Sequence, residues 1–140
     1  MIKTLRNKKG VTLVELLAVV VILGIIAAIA VPTIGNLIAN QQAKADEATL
    51  QNVVAAAKTY ATSEDDLVFT IDDMGTYIDL GSNTIGETSG ADDSATIYVE
   101  ITGNTVKFYD DDPAGAGVVL TSIFVNETEI TLTAGEYVPE

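Results

Sequence analysis

Hydrophobic and polar positions divide the chain into three regimes. Between Leu16 and Ala43 no residue carries a charge, and 14 of the 21 residues from 11 to 31 are Val, Ile or Leu. As a helix rising about 1.5 Å per residue, this stretch covers roughly 31 Å, the thickness of a bilayer's hydrocarbon core. Each aliphatic residue favours insertion by about 0.3–0.6 kcal/mol, while the one acid in the run, Glu15, opposes it by up to ~3 kcal/mol. The balance lies with insertion. Lys3, Arg6, Lys8 and Lys9 precede the run with no acid among them, a bias that holds the amino end in the cytoplasm. Gly24 and Pro32 are the two points of weakness. Proline lacks the amide donor and crowds the carbonyl four residues earlier, here Ala28, which predicts a bend rather than a stop.

The second regime, residues 36–62, is amphipathic. Leu50, Val53, Val54, Ala57, Tyr60 and Ala61 recur at helical intervals and form one stripe, read as core against a sheet. Gln42, Lys44, Asp46, Glu47, Gln51 and Lys58 lie for the most part away from it. Ser63, Glu64, Asp65 and Asp66 end the helix. Thr70, with Asp73 three residues on, predicts a capped short helix toward Tyr77. Residues 81–94, rich in turn formers, read as an exposed loop.

In the third regime the period becomes two. Ile97, Val99 and Ile101 alternate with Tyr98 and Glu100, Gly103 and Asn104 supply a tight turn, and Val106 and Phe108 alternate with Lys107 and Tyr109, a hairpin signature. Residues 118–125 and 129–133 add two strand candidates, for a sheet of three or four antiparallel strands. The fold class is therefore α+β. It comprises a leader at 1–10, a helix at 11–62 with an apolar half (11–35) and an amphipathic half (36–62), and a β-rich head at 63–140. A head of that size needs the helix to complete its core.

Charge and missing residue types narrow the function. Acids number 20 against 7 basic residues, four of which precede Gly10. A chain cut after Gly10 keeps three lysines and all 20 acids, a formal net charge of −17. Such a surface repels phosphates, so no direct nucleic-acid binding is expected, and it keeps an exported protein soluble. With no Cys, His or Trp, disulfides, thiolate or imidazole zinc sites and the usual nucleophile–base pairs are out of reach. Nothing in the spacing of carboxylates, lysines or hydroxyls argues for an enzyme. Glu15 needs a cation, since an ionisable group in an apolar span is costly alone. Cleavage after Gly10 would supply one, the α-amine of Val11.

The basic leader ending in Gly10, the VTLVELL that follows, the apolar run, Gly24 and Pro32 together resemble type IV pilins, type II secretion pseudopilins and competence pilins. The resemblance covers about the first 35 residues. It implies cleavage by a prepilin peptidase between Gly10 and Val11, N-methylation of Val11, and pairing of Glu15 with the terminal amine of a neighbouring subunit during assembly. Val11 stands where that family most often has phenylalanine. Gly24 and Pro32 would mark the helix bend, and the stretch between them can lose helical order in filaments of this kind. The implied partners are further copies in a helical homopolymer, the peptidase, an assembly platform with its ATPase, and the cytoplasmic membrane before assembly. The final location would be a surface pilus or fimbrium serving adhesion, motility or DNA uptake.

Other readings of the same residues remain. The basic start, the apolar core and Ala28-Ile29-Ala30 also fit a secretory signal with its cut after Ala30, although such cores rarely open on a glutamate. An uncut anchor carrying a monomeric binding module fits the length and leaves Glu15 unexplained. No cofactor is expected beyond a candidate calcium site at Asp110, Asp111 and Asp112, where three carboxylates share one turn without EF-hand spacing. Some pseudopilins bind calcium in a late loop, which favours that site; Asp92 and Asp93 offer less. Asn126-Glu127-Thr128 matches a glycosylation triplet.

Overall fold

The computed structural model describes residues 12–138. One long helix, α1 (Leu13–Glu64), is followed by six strands and a single short 3₁₀ helix among the described residues. The chain forms two compact units that divide between Asn40 and Gln41.

In the first unit α1 is helical through both Gly24 and Pro32, and the Thr33 hydroxyl donates to the Ile29 carbonyl at 2.9 Å. Apart from half-buried Ala30, every described residue up to Asn40 is exposed. The exposed residues include Leu23, Ile26, Ile34 and Ile38, all more than half accessible. This part of the helix is long and apolar enough to cross a membrane.

The second unit is an α+β fold. From α1 it buries Leu50, Val53, Ala57 and Ala61, with Val54 and Tyr60 packed at the margin, the stripe expected from periodicity. Asp65, just past the helix, adopts φ +56°, the left-handed conformation that closes a helix end and that Asp tolerates better than most residues. Two antiparallel sheets follow. In the first, β1 (Val68–Thr70), β3 (Tyr98–Thr102) and β4 (Thr105–Tyr109) lie in the order β1-β3-β4. In the second, β2 (Ile85–Gly86), β5 (Ser122–Val125) and β6 (Thr128–Thr131) lie in the order β2-β5-β6. The β3–β4 hairpin pairs Thr102 with Thr105 across Gly103 and Asn104, and Gly103 takes the φ of +66° that favours glycine. Its inward residues Val99, Ile101, Val106 and Phe108 join Ile123, Val125 and Ile130 of the other sheet in one core with the helix stripe.

Two expectations are corrected. The strands form two three-stranded sheets rather than one sheet of three or four. The segment 81–94 is no plain exposed loop, because β2 lies within it, with Ile85 fully buried and paired to Val125. A two-residue strand shows no period. Its Gly86 is required by crowding, since a Cβ there would meet the Ala91 carbonyl at 2.6 Å and Asp93 Oδ2 at 2.9 Å. The expected capped helix is the 3₁₀ helix Asp72–Thr76. The Asp73 carboxylate accepts from the Thr70 amide at 2.9 Å and its hydroxyl at 2.7 Å, while the Asp73 amide donates back to the Thr70 hydroxyl at 3.3 Å, a reciprocal capping box.

Phe108 is fully buried at the centre of the second unit. Phe108→Ala is expected to lower stability by about 3–5 kcal/mol, read from the urea midpoint of the full chain in detergent. Leu67→Ala, at a position 57% exposed, should stay within about 0.5 kcal/mol.

Candidate functional site

Gly10 and Val11, the expected cleavage and methylation pair, lie outside the described residues. The described chain begins one residue later with a second capping box. Thr12 donates to Glu15 Oε2 from its amide at 2.9 Å and from its hydroxyl at 3.0 Å, and the Glu15 amide donates to Thr12 Oγ1 at 3.3 Å. The sequence reading of Glu15 considered only a cation and passed over Thr12, although T-x-x-E is itself a helix-start signal. A carboxylate here also meets the positive end of the helix dipole. Glu15 is exposed, as are its neighbours Leu13, Val14, Leu16 and Leu17. The amino end of α1 thus presents a locally held carboxylate on an uncovered apolar helix. Gly24 and Pro32 lie farther along that helix, with no heavy atom near the place of a Cβ at Gly24.

The other polar constellation was not foreseen. Asp46, expected away from the stripe, is almost fully buried, on the same helical face as Leu50, Val53 and Ala57. Its Oδ1 accepts from Asn126 Nδ2 at 2.7 Å and from Gln42 Nε2 at 3.2 Å, and its Oδ2 from the Thr128 hydroxyl at 2.5 Å. Asn126 is the hub of this knot. Its Nδ2 also donates to Asn83 Oδ1 at 3.0 Å, its Oδ1 accepts from the Thr84 amide at 3.0 Å, and its φ is +56°. The amide nitrogen that a glycan would occupy is therefore committed to Asp46 and Asn83, so the triplet at 126–128 serves the fold instead. Nearby, the Tyr137 hydroxyl donates to Glu47 Oε1 at 2.7 Å and accepts from Gln51 Nε2 at 3.1 Å.

The three aspartates of the calcium expectation hold their own loop. Asp110 Oδ1 accepts from the Val118 amide at 2.6 Å, Asp111 Oδ1 from the Asp112 amide at 2.7 Å, and Asp112 Oδ1 from the Ala114 amide at 2.8 Å. Among the described residues no group of three or more metal-ligating side chains converges. Asp93 Oδ2 accepts from the Glu87 amide at 3.0 Å, and Asp92 Oδ1 from the Ser94 amide at 3.4 Å. Glu87, although exposed, has its pKa raised, first by partial desolvation of its carboxylate and then by the charges of Asp110 and Asp93.

Compared with known proteins, residues 5–31 match the prokaryotic N-terminal methylation motif. That motif is characteristic of type IV pilin and pseudopilin prepilins, and the α+β architecture is pilin-like. No curated protein and no solved structure matches the chain.

Two outcomes follow from these clusters. Asp46→Ala strands the Asn126 amide and the Thr128 hydroxyl, and the expected loss is about 2–4 kcal/mol. Combined with Asn126→Ala it should cost clearly less than the sum of the single losses, by at least about 0.5 kcal/mol in a denaturation cycle. For Glu87, a raised folded-state pKa means that the folded protein binds the proton more tightly. Its favourable contribution is present below the ordinary glutamate range and lost as the pH rises through the folded pKa. Glu87→Gln is thus expected to raise the melting midpoint near pH 7, with the gain shrinking toward about pH 4; equal shifts at both pH values would refute the assignment.

Proposed function

We propose that this chain is the structural subunit of a type IV pilus-like extracellular filament. It is cut by prepilin peptidase between Gly10 and Val11, methylated on Val11 and polymerised through the apolar half of α1. The observation that carries the reading is the coincidence of the methylation motif at 5–31 with a helix that is apolar and exposed on every side. A helix without a polar face has no stable place in water. Before assembly lipid covers it, and the precursor is anchored with its amino end in the cytoplasm. During assembly neighbouring copies replace the lipid, and burial of Val, Ile and Leu supplies most of the cohesion.

Glu15 gives this otherwise slippery contact a register. Apolar stripes tolerate sliding, whereas a carboxylate removed from water is tolerated only opposite a cation. The terminal amine created on a neighbouring subunit is that cation. The acidic second unit faces solvent, where its excess negative charge keeps subunits and filaments apart except where the helices join. An assembly platform and its ATPase would extract each subunit from the membrane. No enzymatic role is assigned. The same reading covers type II secretion pseudopilins and competence pilins, which share the motif. Adhesion, motility and DNA uptake belong to the whole filament system.

Glu15→Val is expected to leave the chain cut and membrane-inserted while filament yield falls at least about tenfold, given the energy of a charge-assisted pair. Electron microscopy of sheared surface fractions, with immunoblots of the membrane pool, reads both. Intact-mass analysis should find a methylated amino terminus at Val11. A chain starting at Met1 would instead mean a tethered monomeric binding module, and one starting at Val31 a secreted protein that has shed its helix.

A further inference from the structure

We infer that the chain carries a self-cleavage site at the peptide bond between Asp112 and Pro113, in the connection from β4 to β5. This activity is independent of the filament reading. The oxygen of the bond to be cut, the Asp112 carbonyl, accepts two amides at once, from Gly115 at 2.9 Å and from Gly117 at 3.1 Å. Only glycine lets the chain return this close, since a Cβ at Gly117 would lie 2.3 Å from the Asp111 carbonyl oxygen and 2.9 Å from the Asp112 carbonyl carbon. Two donors on one carbonyl oxygen stabilise the negative charge that gathers there when its carbon is attacked.

The attacking group is the side chain of the same residue. Asp112 Oδ1 accepts from the Ala114 amide at 2.8 Å, and the Asp112 amide donates to Asp111 Oδ1 at 2.7 Å, so the residue is fixed from both sides. Among the described residues no hydrogen bond falls on Oδ2. Attack by Oδ2 on the Asp112 carbonyl carbon closes a five-membered ring, an intramolecular step that gains from proximity. A C–O bond forms, the C–N bond to Pro113 breaks, and a cyclic anhydride is left on Asp112. The proline nitrogen departs as a secondary amine with a proton taken from external acid. Water then opens the anhydride to two carboxylates and returns a proton. The sum is hydrolysis of one peptide bond, with no change of oxidation state.

Asp112 is exposed and Pro113 half-buried, so acid and water reach the bond. The cut leaves the second unit assembled. Ile123, Val125 and Ile130 remain in the common core, and Asn126 and Thr128 remain bonded to Asp46. Residues 113–140 are then held by these contacts alone.

An unfolded chain has the same carboxylate and the same proline without the two amides, so the test compares states. The full chain in detergent is kept at the lowest pH at which circular dichroism shows the fold intact, beside the same chain in urea at that pH, and both are followed by mass under denaturing conditions. The folded chain is expected to yield pieces ending at Asp112 and starting at Pro113 at least about tenfold faster, since one oxyanion donor alone is worth roughly a hundredfold or more. Asp112→Ala should abolish the cut, and Gly117→Ala should lower the folded rate toward the urea rate. A folded rate equal to or below the urea rate would overturn the inference, as would an unchanged folded rate in Gly117→Ala. Cleavage that persists in Asp112→Ala would assign the cut to a protease and overturn it as well.

Discussion

The fold of the second unit depends on where the Asp46 carboxylate goes. It lies on the face of α1 that carries Leu50, Val53, Ala57 and Ala61, and it is as thoroughly buried as they are. An apolar stripe alone could pack against a sheet in several registers one helical turn apart. A buried carboxylate cannot, because every register but one leaves it without donors. Here the donors are Thr128 on β6, Asn126 in the β5–β6 turn and Gln42 one turn back on α1. Through Asn126 the constraint spreads further. The Asn126 amide donates to the Thr84 carbonyl and its own carbonyl accepts from the Gly90 amide, so the segment that contains β2 is fastened at the same point. One side chain on the helix thereby fixes the second sheet and the irregular chain beside it.

Asp46 and Glu15 are two carboxylates on one helix with opposite solutions. Asp46 is surrounded by neutral donors supplied by its own fold, and no buried polar side-chain atom among the described residues lacks a partner. Both of its oxygens are occupied from within the fold, and it belongs to stability. Glu15 has one carboxylate oxygen occupied by Thr12 while the other accepts nothing among the described residues, on a stretch of helix whose apolar side chains are exposed. The same residue chemistry thus serves the packed core at one position and the start of an exposed helix at the other.

How much of this was legible follows from the range of each signal. The apolar run, the stripe from Leu50 to Ala61 and the β3–β4 hairpin repeat over many residues, and periodicity reports such elements well. The box at Thr70 and Asp73 was visible because its chemistry is local. The same pattern at Thr12 and Glu15 was overlooked because the cost of a charge in lipid dominated the reading of that glutamate. Asp46 was misplaced because its donors lie 80 and 82 residues away, and a single chain gives no hint of tertiary partners at that distance. For the same reason Asn126 resembled a modification triplet, and β2, two residues long, vanished among turn formers. The proposed cleavage pair Gly10 and Val11 was legible only as a motif.

The acidic surface has a physical logic that charge counting misses. With three lysines beyond Gly10 against 20 acids, the acids cannot be stabilised chiefly by ion pairs, and in the loops they turn to the backbone. Asp66, Asp79, Asp92 and Asp112 each accept from the amide two residues on, at Val68, Gly81, Ser94 and Ala114. Asp93 and Asp110 reach farther, to Glu87 and Val118. Asx turns of this kind give loops a defined shape without a hydrophobic core beneath them. One carboxylate oxygen holds the loop, so a single residue type shapes the surface and charges it. Salt screens the repulsion between such charges at long range but leaves these short bonds to backbone amides largely intact. A surface built this way keeps its loops in shape even as salt weakens the repulsion among its charges.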